Sequence, residues 1–336
     1  MKRTTLALAL VFCMLASVAM TACSRQIKDE DVALADGIGT LDANAVTGSE
    51  SEEMDFDLAV LASAPPVSNL LQPVASGTNV LGNNAAQIDA SNMTDGYVMV
   101  RYLGSDTARL KVLITGPSGI TYNYNLTTSG NFEVFPLSDG NGSYKIAAYQ
   151  NISGTSYSTL YSTNVSVTLK DEFAPFLLSN QYVFYTPDTL VVKEAARLCE
   201  GVTDINEKLG KIYDWVVATF TYDYNLAATV QSGYLPNLDN VLAKKSGICF
   251  DYAAVITAML RSQGIPTKLV VGYAGTAYHA WINVYSESQG WINAAIYFDG
   301  NVWKRLDPTF ASSGGNSASI LKYIGDGANY KESYLY

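Results

Sequence analysis

Histidine is almost absent from this sequence, because His279 is the only one among 336 residues. A metal site built on several histidines of one chain is therefore excluded, and a reaction that needs an imidazole must use His279. Basic residues are also scarce, with 21 Lys and Arg against 31 Asp and Glu, for a formal net charge of −10. Since an acidic surface repels phosphate backbones, we expect no nucleic-acid partner.

The N-terminus has the pattern of a targeting segment. Lys2 and Arg3 precede an apolar run, residues 6–20, that is too short to span a bilayer. The run ends at Met20-Thr21-Ala22-Cys23, which resembles a bacterial lipobox. The resemblance implies a lipoprotein signal peptide over residues 1–22 and a lipid anchor on Cys23. The mature protein is then extracytoplasmic, on the cell membrane surface. The alternative is an ordinary secretory signal with an incidental cysteine.

Cysteine is rare, with four in the chain. Cys13 is lost with the signal and Cys23 takes the lipid, so two remain for the folded protein. In an exported protein Cys199 and Cys249 can form a disulfide, which is the alternative to a free thiol at Cys249. Cys199 falls on the apolar face of a helical pattern, and we expect it to pack as a small hydrophobic residue.

Composition and periodicity divide the mature chain into three parts. Residues 23–90 are rich in small and acidic residues without a sustained period, which predicts an acidic flexible tether; its apolar patch, Leu58–Leu71, can dock locally. Residues 91–170 contain short strands separated by turn residues, which predicts a small all-β, immunoglobulin-like sandwich. Residues 171–336 begin with helices and continue with strands, which indicates an α+β domain.

Three helices are predicted before the first long strand of that domain. Thr186-Pro187-Asp188 is a helix-start signal, and Asp204 with Glu207 is similar to a capping box. Cys249 opens a helix that is apolar nearly all round and ends at Gly264-Ile265-Pro266. The helix after Asp204 presents one apolar face, made of Ile205, Leu209, Ile212, Val216 and Phe220.

A thiol, an imidazole and a carboxylate follow one another as Cys249, His279 and Asp307. Cys249 lies in the first turn of its helix, where backbone N–H groups and the helix dipole favour an anion. His279 shares a strand face with Trp281, whereas the alternate residues are apolar. Asp307 ends a later strand, where it can accept the second imidazole N–H. The order and context together predict a nucleophile, a general base and acid, and an orienting group.

Three stretches of the sequence look like the three motifs of the bacterial transglutaminase-like superfamily: Gly247–Ala253, His279–Trp281 and Leu306–Thr309. The likeness covers about 180–312. It implies an α+β papain/transglutaminase-like core in which the cysteine-bearing helix packs on an antiparallel sheet. It also implies the same three roles for the thiol, the imidazole and the carboxylate.

The interval between the histidine and the aspartate departs from the family pattern. It spans 307 − 279 = 28 residues, which is longer than the usual hairpin. We expect an inserted strand or long hairpin beside the site. Asp299 is the fallback partner for His279, although Asp299-Gly300 is also a turn signal.

The remaining site residues are less closely specified. The backbone N–H of Cys249 is the expected oxyanion donor. Tyr234 and Asn237 are candidates for the second donor, and together with Trp281 they are the substrate-cleft candidates. Neither a metal-ligand cluster nor a glycine-rich phosphate loop is present in the sequence, so no metal and no cofactor are expected.

The expected function is that of a surface-anchored thiol hydrolase that cleaves an amide bond through a thioester intermediate. Its partners would be a peptide or protein substrate, cell-wall peptide included, and the membrane that holds its lipid. The resemblance favours hydrolysis, since most bacterial relatives are thought to be proteases. The alternatives are a cross-linking acyl transferase, which uses the same residues, and a non-catalytic cell-surface binding or scaffold protein.

Overall fold

A computed structural model describes residues 58–287, 290–293, 297–298, 303–304 and 330–336. Within these ranges the helices are α1 (Leu58–Ser63), α2 (Leu190–Leu198), α3 (Ile205–Thr219), α4 (Tyr224–Thr229), α5 (Leu238–Lys244) and α6 (Cys249–Ser262). None of the described helices has the length and apolar composition needed to cross a bilayer.

The N-terminal part of the described chain is an all-β unit of two antiparallel sheets. Its strands are β1 (Val80–Gly82), β2 (Ala86–Asp89), β3 (Tyr97–Tyr102), β4 (Leu110–Thr115), β5 (Thr121–Leu126), β6 (Glu133–Pro136), β7 (Gly142–Ser153) and β8 (Ser156–Val167). The sheet orders are β1-β2-β3-β6 and β5-β4-β7-β8. Buried residues of both sheets belong to one apolar core, as the alternating pattern predicts.

Tyr144 joins β7 to the loop before it. Its hydroxyl donates to backbone oxygens of Leu137 and Gly140 and accepts from the N–H of Asp139. A tyrosine in this position is typical of immunoglobulin-like sandwiches, where it fixes the corner between two strands. The immunoglobulin-like assignment itself stays a prediction.

The expected tether boundary at residue 90 is corrected by two elements. β1 and β2 pair with the sandwich although they lie before residue 91. The helix α1 buries Leu61 in the core, and the buried ammonium of Lys193 donates to the carbonyl of Ala64, just past the end of α1. A cation at a helix C-terminus is favourable. The apolar patch that begins at Leu58 is therefore docked, not part of a free tether.

The C-terminal part combines helices α2 to α6 with a second group of strands. These are β9 (Thr221–Tyr222), β10 (Ser246–Gly247), β11 (Thr267–Ala274), β12 (Ala277–Ser286), β13 (Gly290–Asn293), β14 (Tyr297–Phe298), β15 (Trp303–Lys304) and β16 (Tyr330–Leu335). The main sheet has the order β13-β12-β11-β16 and is antiparallel, whereas β9 and β10 pair in parallel. The helix-plus-sheet arrangement confirms the predicted α+β fold class.

Helix α6 is buried along its whole length, as its apolar composition predicts. It packs against β11 and β12, whose core-facing residues include Val271, Ala280 and Ile282. Its last turn carries Arg261, which is 3% exposed and donates to backbone carbonyls of Leu178, Thr267 and Tyr336. Burial lowers the pKa of Arg261 to about 10. A buried cation is tolerated here because three carbonyl oxygens solvate it.

The two parts of the molecule meet through tyrosines. Tyr122 of β5 packs edge-on against Tyr334 and Tyr336, and Tyr124 packs edge-on against Tyr182. Tyr182 in turn stacks on Tyr336, with ring centroids 3.9 Å apart. Aromatic pairs in these geometries add to the free energy gained by burying their area. The sandwich is thus packed against the edge strand of the main sheet.

Candidate active site

Cys249 is the first residue of α6, and Ile248 before it has the extended backbone of an N-cap. Cys249 is buried, with 6% of its surface exposed to solvent. Both Cys199 and Cys249 are free cysteines, so the alternative of a disulfide between them is wrong. Cys199 is 4% exposed within the apolar core, which confirms its predicted packing. The N–H groups of the first helical turn lack intrahelical acceptors, and Cys249 lies in that turn.

The first turn of α6 is held by a buried carboxylate. Asp251 is fully buried; one carboxylate oxygen accepts the backbone N–H of Ile248 at 2.8 Å, and the other accepts the hydroxyl of Tyr234 at 2.7 Å. Burial raises the pKa of Asp251, while these two hydrogen bonds act in the opposite direction. Burial beside this carboxylate raises the pKa of Tyr234. The pair therefore fixes the backbone one residue before Cys249.

Glycine is required at 247 by the same carboxylate. A Cβ at Gly247 would lie 2.6 Å from the Cβ of Asp251 and 2.8 Å from a carboxylate oxygen. Gly247 also pairs with Tyr222 in the parallel β9–β10 ladder, and its carbonyl accepts the N–H of Asp223. The side chain of Asp223 then caps α4 through the N–H of Leu226. The backbone before Cys249 is thus fixed from both sides.

His279 lies at the third position of β12 and is 6% exposed. It pairs with Gly272 of β11, and its ring stacks on Trp281 with centroids 6.2 Å apart. Tyr330 packs against both rings, at 6.4 Å from His279 and 5.1 Å from Trp281. The imidazole therefore sits in an aromatic environment that shields it from bulk water.

The strand alternation predicted around His279 is present. Ala280 and Ile282 join the core that contains α6, whereas Trp281 joins a separate cluster with Val270. By alternation His279 belongs to the face of Trp281 and not to the face covered by α6. A contact between the Cys249 thiol and the His279 imidazole would therefore have to pass around the end of the sheet.

Connectivity places the thiol and the imidazole at the same end of the sheet. From Ser262 back to Cys249, α6 rises about 20 Å at ~1.5 Å per residue. From Thr267 to Gly272, β11 extends about 17 Å at ~3.3 Å per residue. A short turn joins the two elements, and Gly272 pairs with His279. Cys249 and His279 therefore lie at comparable heights along the sheet, at the end where α6 begins.

The third member of the predicted triad, Asp307, lies outside the described residues, and so does the fallback Asp299. Of the cleft candidates, Trp281 is 2% exposed and packs with His279. Tyr234 and Asn237 both line a cavity of about 140 Å³ beside the first turn of α6. Tyr234 donates to Asp251, and Asn237 caps α5 by accepting the N–H of Asn240.

The cavity has a mixed lining. Its polar residues include Asp223, Ser246 and Lys244, and Asp251 lies at the wall shared with α6. Leu226, Leu235 and Val241 supply apolar surface. Among the described residues no group of three or more His, Cys, Asp and Glu side chains has the arrangement of a metal site.

Comparison with known proteins identifies the domain that contains these residues. Residues 193–308 match the model of the transglutaminase-like superfamily. This segment, which holds Cys249, His279 and Asp307, is therefore a transglutaminase-like domain.

One curated relative and several solved structures are similar to the chain. The uncharacterized protein YebA of Bacillus subtilis (strain 168) is 25% identical over 224 residues, which cover 59% of this chain and 28% of YebA. The chain thus spans less than a third of the length of that relative.

The similar structures resemble the chain at low identity. A candidate cysteine protease from Cytophaga hutchinsonii is 18% identical, with 61% of this chain and 68% of that chain covered and a TM-score of 0.32. A candidate protease from Parabacteroides distasonis is 12% identical, with 64% and 65% covered and a TM-score of 0.27. Red sea bream transglutaminase is 14% identical, with 63% and 48% covered and a TM-score of 0.29. Because these TM-scores are below 0.5, the domain assignment rests on the family match.

Asp251 was missed as a functional candidate by the sequence reasoning, although a signal was present. It stands at the third helical position after Ile248, where an acidic side chain commonly reaches back to the N-cap backbone. Tyr234, 17 residues earlier, could not have been paired with it, because no periodic pattern links the two elements.

Proposed function

We propose that this protein is a thiol hydrolase that cleaves amide bonds of a peptide or protein substrate, with Cys249 as nucleophile, His279 as general base and acid, and Asp307 as the orienting group. The observation that carries the proposal is the free cysteine at the first position of a buried helix in a transglutaminase-like domain. The only histidine of the chain follows on a strand packed against that helix.

In the proposed mechanism Cys249 forms the covalent bond, His279 moves the protons and Asp307 orients the imidazole. His279 takes the proton of the Cys249 thiol, and the sulfur attacks the amide carbonyl carbon. A C–S bond forms while the carbonyl π electrons move onto the oxygen, and the backbone N–H of Cys249 stabilises this oxyanion. The imidazolium of His279 gives its proton to the amide nitrogen as the C–N bond breaks and the amine leaves. A water molecule then loses a proton to His279 and attacks the thioester carbon, so that a C–O bond forms and the C–S bond breaks. The product acid leaves, and His279 returns its proton to the sulfur, which restores the cysteine.

The position of His279 sets a requirement on this mechanism. Its ring lies on the Trp281 face of the sheet, so it must reach Cys249 at the sheet end where α6 begins. Stacking on Trp281 and the contact with Tyr330 hold the ring in a nearly closed aromatic environment. In such an environment a charge-assisted contact between thiolate and imidazolium is stronger than in water.

We propose that the enzyme is held at the extracytoplasmic face of the cell membrane by lipid on Cys23. Two acyl chains give a stable anchor, whereas a single chain binds only marginally. The segment between the anchor and Leu58 would set the distance of the enzyme from the membrane, which places cell-wall peptide within reach.

The nucleophile is tested with an amide-mimicking electrophile that reacts with thiols, with labelling read cysteine by cysteine from peptide masses. Labelling should occur at Cys249 and be lost in Cys249→Ala, while Cys199→Ala keeps it. His279→Gln should slow labelling by about 10²–10⁴-fold, the usual contribution of a general base. Equal labelling of wild type and His279→Gln would exclude the proposed pair.

Hydrolysis and acyl transfer are separated with a glutamine-containing protein and a labelled primary amine. The proposal expects cleavage or glutamine deamidation without retention of the label. Covalent incorporation of the amine, lost in Cys249→Ala, would assign the cross-linking alternative. A wild-type protein inactive in every arm, with Cys249 unreactive, would favour a binding or scaffold protein.

A further inference from the structure

The carboxylate of Asp251 is placed two residues after Cys249 and has no exposed surface. Its oxygens accept two hydrogen bonds from different parts of the chain: the N–H of Ile248 on its own turn, and the hydroxyl of Tyr234 from the segment between α4 and α5. A fully buried carboxylate is costly unless it is hydrogen-bonded, so this arrangement is specific and not incidental.

We infer that Asp251, held in place by Tyr234, is a positioning residue for the Cys249 nucleophile. The inference rests on the proposed function and deepens it. Because Asp251 fixes the backbone of Ile248, it sets where α6 begins. The start of the helix in turn sets the direction of the Cys249 Cα–Cβ bond and of its N–H group.

The neighbouring backbone explains why this hydrogen bond controls the nucleophile. Gly247 lies so close to Asp251 that a Cβ there would overlap with the carboxylate, and its carbonyl is bonded to Asp223. Without the carboxylate, the N–H of Ile248 loses its acceptor and the backbone before Cys249 is free to shift. The Cys249 sulfur would then move relative to the free N–H groups at the start of α6.

The Asp251 carboxylate could affect Cys249 through its charge or through its hydrogen bonds, and the two roles predict different behaviour of the thiolate. An ionised carboxylate near the thiolate would oppose its negative charge, so Asp251 does not serve as an electrostatic activator. Desolvation raises the pKa of Asp251, with Asp223 acting in the same sense and the ammonium of Lys244 against it. The role is therefore geometric, and an uncharged acceptor of the same shape should perform it.

The test compares the full-length wild type with Asp251→Ala, Asp251→Asn and Tyr234→Phe. Alkylation of native protein by iodoacetamide is followed as a function of pH, and peptide masses report each cysteine separately. The matched control is Asp204→Ala, which removes the aspartate that caps α3 by accepting the N–H of Glu207. Circular dichroism and thermal unfolding of every variant accompany the rates.

We expect Asp251→Ala to slow Cys249 alkylation at neutral pH by about 10–100-fold, since misplacement by about 1 Å can cost 10²-fold. Asp251→Asn should stay within about threefold of wild type, because the amide oxygen still accepts the Ile248 N–H. Tyr234→Phe should be intermediate.

The control separates positioning from stability alone. Asp204→Ala should lower the free energy of unfolding by about 0.5–2 kcal/mol, the usual loss for a cap, and leave the rate of Cys249 alkylation unchanged. A folded Asp251→Ala that reacts like wild type would overturn the inference, as would an equal loss of reactivity in Asp204→Ala.

Two further outcomes are distinguishable. If Asp251→Ala does not fold, Tyr234→Phe decides: slower alkylation of Cys249 in the folded variant supports positioning, and the wild-type rate rejects it. If wild-type Cys249 reacts no faster than buried Cys199 and does not depend on His279, the proposed function itself fails.

Discussion

The substitution Gly247→Ala offers a sharp test of the packing before Cys249. The added Cβ would lie 2.6 Å from the Cβ of Asp251 and 2.8 Å from its carboxylate oxygen. These are contacts that real side chains essentially never make, so the backbone or Asp251 must move. Overpacking of a buried site typically costs about 1–3 kcal/mol. Movement of Asp251 would also break its bond to the Ile248 N–H.

Thermal unfolding measures this cost, and a second glycine provides the control. For a domain of this size, 1–3 kcal/mol corresponds to a decrease in Tm of about 2–12 °C. Gly210 lies inside α3, and a Cβ there would meet no atom within 4 Å. Gly210→Ala should therefore raise stability by up to about 1 kcal/mol, since alanine is the better helix former. If both variants shifted Tm in the same direction, the steric explanation for Gly247 would be refuted.

Arg261 and the buried tyrosines give the remaining predictions. Arg261→Met should lower the free energy of unfolding by about 2–4 kcal/mol, because buried carbonyls lose their donor; an unchanged denaturation midpoint in urea would contradict this. Burial raises the pKa of Tyr182 and Tyr185 to about 12, whereas a tyrosine in the unfolded chain has a pKa of about 10. The free energy of unfolding should therefore decrease as the pH rises from 10 to 12, because the unfolded chain loses these protons first. The lowered pKa of Arg261 would increase the free energy of unfolding over the same pH range. The decrease should prevail, because several buried tyrosines have a raised pKa, Tyr124 and Tyr336 among them. Unfolding followed at several alkaline pH values, with tyrosinate absorbance as the second signal, checks the sign.

Local patterns predicted the elements that carry the site. The apolar face of α3 is buried as expected, with Leu209, Ile212 and Val216 at most 1% exposed. Asp204 caps α3, and α6 ends before Gly264. These features depend on residues within one or two turns of each other, so the sequence specifies them directly. The start of α2 was predicted less accurately: the helix begins at Leu190, after the Thr186–Asp188 signal.

Contacts between residues far apart in the chain could not be predicted from the sequence. Arg261 bonds carbonyls 83 and 75 residues away, and Tyr234 reaches Asp251 across a helix and a loop. The docking of α1 depends on Lys193, which is 129 residues from its acceptor. No periodicity connects such pairs, because each depends on how separate elements meet in space. The burial of Trp281 has the same origin, since its partner Tyr330 comes from another strand.

The tyrosine contacts between the sandwich and β16 have a practical consequence for anyone who cuts the chain. A fragment that begins near residue 171 would lose Tyr122 and Tyr124 and would uncover the rings of Tyr334 and Tyr336 that they contact. Bare aromatic surface of that kind promotes self-association. Fragments for crystallisation or assay should therefore start before β1, or carry polar residues in place of Tyr334 and Tyr336.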